Sequence, residues 1–317
     1  MGLVWDIGFL TGGLVLLFFG GEGLVRGATS IATRFGLSKL IVGLLIVGFG
    51  TSAPELLVSV QAALAGAPDI SIGNVVGSNI ANVLLIIGAA AVIAPLANTD
   101  PSIRRDLIVM VAASVLIGGL FLLGTIDRIS GVVLFAVFGL YLAASYLIER
   151  RRMAADEGDG AADLDEAVVG AGPAVLYVLA GIAMLVFGAR FMVDGATGIA
   201  RDIGISEAVI GLTIVSLGTS LPELATAIVA SRKGEAEVVL ANIVGSNIFN
   251  ILCILGITAM ITPIPVAGRF AMVDGPLMIA IAVAAAITLF KVRQIGRGMG
   301  AGLLGLYAVY IGVQNAI

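Results

Sequence analysis

The sequence predicts an all-α integral membrane protein of ten transmembrane helices arranged as two inverted five-helix repeats. Three observations carry that expectation. Of 317 residues, 59% are hydrophobic and 12% charged, with a mean hydropathy of +1.13, so roughly half the charge of an average soluble domain is missing. Apolar stretches long enough to cross a bilayer recur along the whole chain. One set of polar motifs occurs twice, 168 residues apart and without a gap.

Breaks in apolarity place the spans at about 7–26, 38–64, 70–95, 106–124, 129–148, 173–193, 206–231, 237–262, 270–290 and 298–316. The first opens with MGLVWDIGFL, which has an aspartate and no Lys or Arg ahead of its apolar stretch, and reads as a permanent span rather than a cleaved signal. Segments two, three, seven and eight run long and contain Gly, Pro and Asn, so tilted or broken helices are expected there. The long polar connection opens with Arg150, Arg151 and Arg152 and continues as ADEGDGAADLDEA. It divides the chain into a first half (1–149, repeat about 38–95), a short acidic cytoplasmic loop (150–172) and a second half (173–317, repeat about 206–262).

Alternating the spans puts thirteen of the 17 Lys and Arg residues on one side and four on the other. Short cytoplasmic loops are enriched in positive charge, so both termini are expected outside the cell membrane. A net charge of -4 argues against a nucleic-acid surface. With no histidine and one cysteine, Cys253, imidazole chemistry, disulfides and thiolate metal sites are excluded within the chain.

GTSAPEL at Gly50 matches GTSLPEL at Gly218, and NVVGSNIANVLLIIG at Asn74 matches NIVGSNIFNILCILG at Asn242. Nearly half of the 62 positions from Gly27 to Gly88 are identical to their equivalents, including Thr, Ser, Pro, Glu and Asn that shared apolar bias does not explain. The copies lie five spans apart, an odd number, so equivalent helices cross in opposite directions. Inverted repeats with interrupted helices at matching positions are the build of secondary transporters, with the substrate near the midplane.

Glu55 and Glu223 decide the chemistry. Each stands in an apolar helix with no Lys, Arg or His within a turn or two, and a charge at the bilayer centre costs about 2.5–3.5 kcal/mol on insertion scales. Two uncompensated carboxylates call for a cation. Pro54 and Pro222 precede them, so the helices are expected to open at Gly50/Thr51 and Gly218/Thr219, freeing carbonyls. Thr51, Ser52, Thr219 and Ser220 add hydroxyls, of the kind hard cations accept. In the partner segments Ser78 and Asn82, like Ser246 and Asn250, are spaced i, i+4 and share a face. Asn74, Asn79, Asn242 and Asn247 lie nearby, with interhelical hydrogen bonding as the alternative to ligation.

One divalent ion neutralises two carboxylates, as do two or three monovalent ions, and the two loads compete, which favours antiport. At these residues the sequence resembles the sodium/calcium exchanger branch of the calcium/cation antiporter superfamily, in its prokaryotic form, whose repeats read G-T-S-x-P-E and G-S-N-x-x-N/D. The resemblance implies a carrier rather than an enzyme, needing no cofactor, that exchanges Ca²⁺ against Na⁺. It implies a mobile pair formed by the first and sixth helices. By carry-over, Glu55, Glu223 and the carbonyls of Thr51 and Thr219 would take Ca²⁺. Na⁺ sites would fall on Ser52, Ser78, Ser220 and Ser246, with the backbone of Gly48 and Ser216, around a centre near Asn82 and Asn250. Many relatives carry Asp where Asn250 stands, so the site charge of about -2 argues against K⁺ co-transport. The acidic loop lacks a spaced EF-hand ligand set.

Three other readings stay open. A proton/calcium antiporter of the same superfamily is one, although its G-N-A-x-E type motif is missing. A Mg²⁺ carrier is less suited, because Mg²⁺ sheds water reluctantly. A channel would build its filter around an oligomeric axis, whereas two inverted halves supply a site in one chain, so a monomer is expected to suffice.

Overall fold

A computed structural model describes residues 3–35, 42–97, 102–156, 169–202, 216–292 and 294–314. Helix α1 spans Leu3–Phe35. A π-helical turn over Gly43–Gly48 and an α-turn over Phe49–Thr51 lead into α2, Ala53–Leu64. Helix α3 runs Pro68–Ile93 with a π turn at Asn82–Ile86, followed by α4, Ser102–Phe121, and α5, Arg128–Asp156. Then come α6, Ala171–Asp202, a turn at Ser216–Gly218 and α7, Leu221–Arg232. Helix α8 runs Ala236–Ile261 with a π turn at Phe249–Ile254; α9, Phe270–Lys291, opens with a π turn at Phe270–Asp274, and α10 covers Arg297–Gln314. Among the described residues six helices, α1, α3, α5, α6, α8 and α9, contain stretches long and apolar enough to cross a membrane.

Three expectations change. Where tilted or broken helices are expected, the π turns at Asn82 and Phe249 leave α3 and α8 continuous rather than broken: one extra residue per turn absorbs the irregularity without abandoning helical backbone. The chain stays helical through Thr51 and departs only at Ser52, with φ -84° and ψ 7°, because proline is tolerated in the first turn of the helix that restarts at Ala53. Helix α5 continues through Arg150–Arg152 to Asp156, so the polar connection starts later than its charges suggest. Residues 38–41 and 206–215 of the second and seventh expected spans, and 157–168 of the acidic loop, lie outside the described residues.

The turns joining α2 to α3 and α7 to α8 each place a glycine, Gly66 (φ 74°) and Gly234 (φ 76°), in the left-handed region that side chains avoid. These two positions are again 168 apart. Helices α1 and α6 run along one another through small residues. A Cβ on Gly13 would meet the Gly188 carbonyl at 2.7 Å, and one on Gly20 would meet the Gly181 carbonyl at 3.0 Å, so the backbones touch directly.

The two halves are interleaved elsewhere. Strand β1 (Leu96–Ala97) pairs antiparallel with β4 (Gln294–Ile295), Leu96 opposite Ile295, and β2 (Thr125–Ile126) pairs with β3 (Ile264–Pro265), Ile126 opposite Ile264. Each ladder joins a connection after the repeat of one half to a connection in the other half. Apolar side chains such as Leu14, Phe18 and Phe19 of α1 point outward while Leu17 and Leu24 are buried. A polar set is enclosed at the centre: Thr51, Ser52, Glu55, Ser78, Asn79 and Asn82 of the first half, and Ser220, Glu223, Ser246, Asn247 and Asn250 of the second. That inversion of the soluble pattern is what a lipid solvent dictates.

Candidate ion-binding site

The break at Ser52 is duplicated at Ser220, with φ -88° and ψ 5°. In each case Pro54 or Pro222 follows two residues later and has no N–H, so the carbonyls of Gly50 and Gly218 lose their helical donors. The break turns the serine hydroxyls away from their own helices. Ser52 Oγ donates to Glu223 Oε1 at 2.8 Å, and Ser220 Oγ donates to Glu55 Oε1 at 3.3 Å. Each glutamate is therefore held by the interruption of the opposite half.

The crossing continues outward. Thr51 Oγ1 meets Asn242 Oδ1 at 3.4 Å and Thr219 Oγ1 meets Asn74 Oδ1 at 3.3 Å. Thr51 Oγ1 also donates back to the Val47 carbonyl at 3.0 Å, which makes this hydroxyl a backbone cap rather than a free ligand. Asn82 Nδ2 donates to Asn247 Oδ1 at 3.0 Å and Asn250 Nδ2 to Asn79 Oδ1 at 3.4 Å. Ser220 Oγ and Ser78 Oγ are 3.2 Å apart, and Ser246 Oγ donates to the Gly48 carbonyl at 3.5 Å.

The structure thus forms two hydrogen-bonded sets that each cross between the halves, Ser52 with Glu223 and Ser220 with Glu55 and Ser78, and it sets Ser246 against Gly48. Asn82 and Asn250 pair across the halves one turn beyond Ser78 and Ser246. Ser216 is the first residue of its short turn.

Both glutamates are 1% exposed, and neither forms an ion pair among the described residues. Among the buried side-chain oxygens that receive no hydrogen bond are four from these acids and amides: Glu55 Oε2, Glu223 Oε2, Asn82 Oδ1 and Asn250 Oδ1. They form two repeat-related pairs, and all four can only accept when the acids are ionised. A buried acceptor without a donor costs about 1–3 kcal/mol, more when charged, so four at one centre make a cation the natural partner. Two carboxylates with amide and hydroxyl oxygens form a hard-oxygen donor set. Sequence reasoning left Asn79 and Asn247 undecided between ligation and helix pairing; their oxygens are consumed in pairing. It passed over Met110 and Met278, which accept from Asn247 and Asn79, because an apolar residue in an apolar run carries no signal.

By fold and surface this is a multi-pass membrane protein, predominantly helical among the described residues, with two short strand pairs and a buried polar centre. The family described as "Sodium/calcium exchanger protein" matches residues 5–147 and again 173–315, two stretches related by the same 168-residue offset. The chain belongs to the sodium/calcium exchanger family, whose members are cation antiporters of sodium and calcium transport. It is 36% identical to "Inner membrane protein YrbG" of Escherichia coli over 94% of this chain and 93% of that protein. It is 33% identical to "Sodium/calcium exchanger MaX1" of Methanosarcina acetivorans over 94% and 95%. A solved structure of the sodium-calcium exchanger NCX_Mj, soaked with Na⁺ and Sr²⁺, superposes with a TM-score of 0.82 at 30% identity, covering 98% of this chain and 99% of that one.

Proposed function

We propose that this protein is a secondary antiporter that exchanges Ca²⁺ against Na⁺ by alternating access around a midplane site holding Glu55 and Glu223. The observation that carries this reading is the crossed, duplicated pattern in which each half's serine holds the other half's glutamate while the second oxygen of each carboxylate is left without a donor. A Ca²⁺ ion takes six to eight oxygens at about 2.3–2.6 Å, and the two glutamates, the carbonyls of Thr51 and Thr219 and the neighbouring amides supply that kind of set. Na⁺ ions would be held by Ser52, Ser78, Ser220 and Ser246 with the backbone of Gly48 and Ser216, around Asn82 and Asn250. The two carboxylates balance one Ca²⁺ or several Na⁺ but not both loads, which makes the exchange obligatory.

In this reading the chain crosses the membrane ten times as two inverted five-helix halves, with both termini outside, and works as a monomer. The names of MaX1 and NCX_Mj support sodium as the counter-ion. Purified protein in liposomes, given an outward Na⁺ gradient at equal pH on both sides, is expected to take up ⁴⁵Ca²⁺. Uptake driven by a pH gradient in the absence of Na⁺, with none from the Na⁺ gradient, would overturn the sodium coupling in favour of protons. Uptake that persists in Glu55→Gln with Glu223→Gln would overturn the site.

A further inference from the structure

Two methionines stand behind the amide oxygens of the centre. Asn79 of α3 directs Nδ2 to Sδ of Met278 in α9 at 3.6 Å, and its Oδ1 accepts from Asn250 Nδ2 at 3.4 Å. Asn247 of α8 directs Nδ2 to Sδ of Met110 in α4 at 3.4 Å, and its Oδ1 accepts from Asn82 Nδ2 at 3.0 Å. Adding 168 to Met110, Asn79 and Asn82 gives Met278, Asn247 and Asn250, so one relay is built twice from independent stretches of sequence. Each passes from one half to the other and back. Both methionines are buried, 1% and 2% exposed, so no bulk water competes for these bonds.

An asparagine amide fits its socket almost equally well in either orientation, and its partners decide which end faces where. A thioether sulfur accepts a hydrogen bond and cannot donate one. At Met278 it therefore fixes the nitrogen end of Asn79 on its own side. The oxygen of Asn79 is then turned to Asn250, which must answer with its NH₂ and leave Oδ1 over. That Oδ1 is one of the oxygens without a donor, as is Asn82 Oδ1 at the end of the other relay.

We infer that Met110 and Met278 are positioning residues for cation binding, acting through Asn247 and Asn79 so that Asn82 and Asn250 present oxygen, not NH₂, to the ion. The inference rests on the exchanger reading of the Glu55 and Glu223 centre. Leucine has nearly the volume of methionine but no acceptor, so Met→Leu removes the polarity of the relay and keeps the packing.

The test is calorimetric titration of Ca²⁺ into the purified full chain, with thermal unfolding of each variant alongside. M110L and M278L are each expected to weaken Ca²⁺ binding about threefold to tenfold, the range of one net hydrogen bond, and the double variant to weaken it further. Unfolding temperatures should stay near that of the parent. M278Q, whose amide oxygen can accept in place of sulfur, is expected to return the affinity to within about twofold of the parent. Parental affinity in folded M110L/M278L, or an M278Q no tighter than M278L, overturns the relay. Should the double variant not fold, the two single variants decide by the same criterion. E55Q/E223Q run in parallel separates the readings: undiminished binding there overturns the exchanger centre itself, whereas loss there with parental binding in M110L/M278L overturns only the relay.

Discussion

The two repeats share their chemistry but not their surroundings. At the breaks they are equal: Ser52 and Ser220 adopt the same backbone angles within a few degrees and each reaches the other half's glutamate. Around the breaks they part. Gly73, Asn74 and Gly77 of α3 and Thr219 are half-buried, while the equivalents Ala241, Asn242, Gly245 and Thr51 are buried, Asn242 and Thr51 completely. Overall α8 is buried along its whole apolar window and α3 over 72% of its own. The halves also differ in where they carry hydroxyls, in both directions: Ser59 and Ser71 correspond to Ala227 and Val239, whereas Thr226 and Ser231 correspond to Val58 and Ala63. Asn74 Nδ2 donates to Ser59 Oγ at 2.9 Å and to the Glu55 carbonyl at 3.1 Å, so this polar string leads from Glu55 along α2 and α3. Duplication thus governs the groups at the centre, and the side chains around them differ between the halves.

The comparison can be broken most sharply at the acids. If the halves contribute equally to the proposed site, Glu55→Gln and Glu223→Gln should each reduce Ca²⁺ affinity about a hundredfold or more, since either leaves one buried charge for a divalent ion, and calorimetry on both variants checks it. A large loss from one and none from the other would contradict the symmetry. Next is access. In a Cys253→Ala background, Asn74→Cys should react with a charged thiosulfonate reagent about tenfold faster than Asn242→Cys, because only the first is partly exposed. The crossed serines come third. Ser52→Ala should weaken binding about fivefold and Ser220→Ala about twofold to threefold, in the order of their bond lengths, 2.8 Å and 3.3 Å. The smallest effect is expected at Ser59→Ala, which frees one donor of Asn74 and should slow exchange about twofold in liposomes with Ca²⁺ affinity unchanged.

Much of this was legible in the sequence, for a physical reason. In hydrocarbon a Glu, Asn or Ser must have a use, so Glu55, Ser52, Ser78 and Asn82 and their equivalents stood out against Ile, Val and Leu. The prolines at 54 and 222 located the interruptions to within two residues. What the sequence hid is of three kinds. The π turns at Asn82 and Phe249 keep helical backbone angles and leave no compositional trace. The crossed partners Ser52–Glu223 and Ser220–Glu55 are 171 and 165 residues apart, and only the assembled fold says which serine meets which acid. Met110 and Met278 are apolar residues in apolar helices, indistinguishable from filler until the amide beside each is seen.

The most direct test of the central claim is an anomalous difference map from crystals grown with Sr²⁺ as a heavy stand-in for Ca²⁺. The account predicts one dominant peak within coordination distance of both Glu55 and Glu223. Density bound to one carboxylate alone, or away from both, would contradict it.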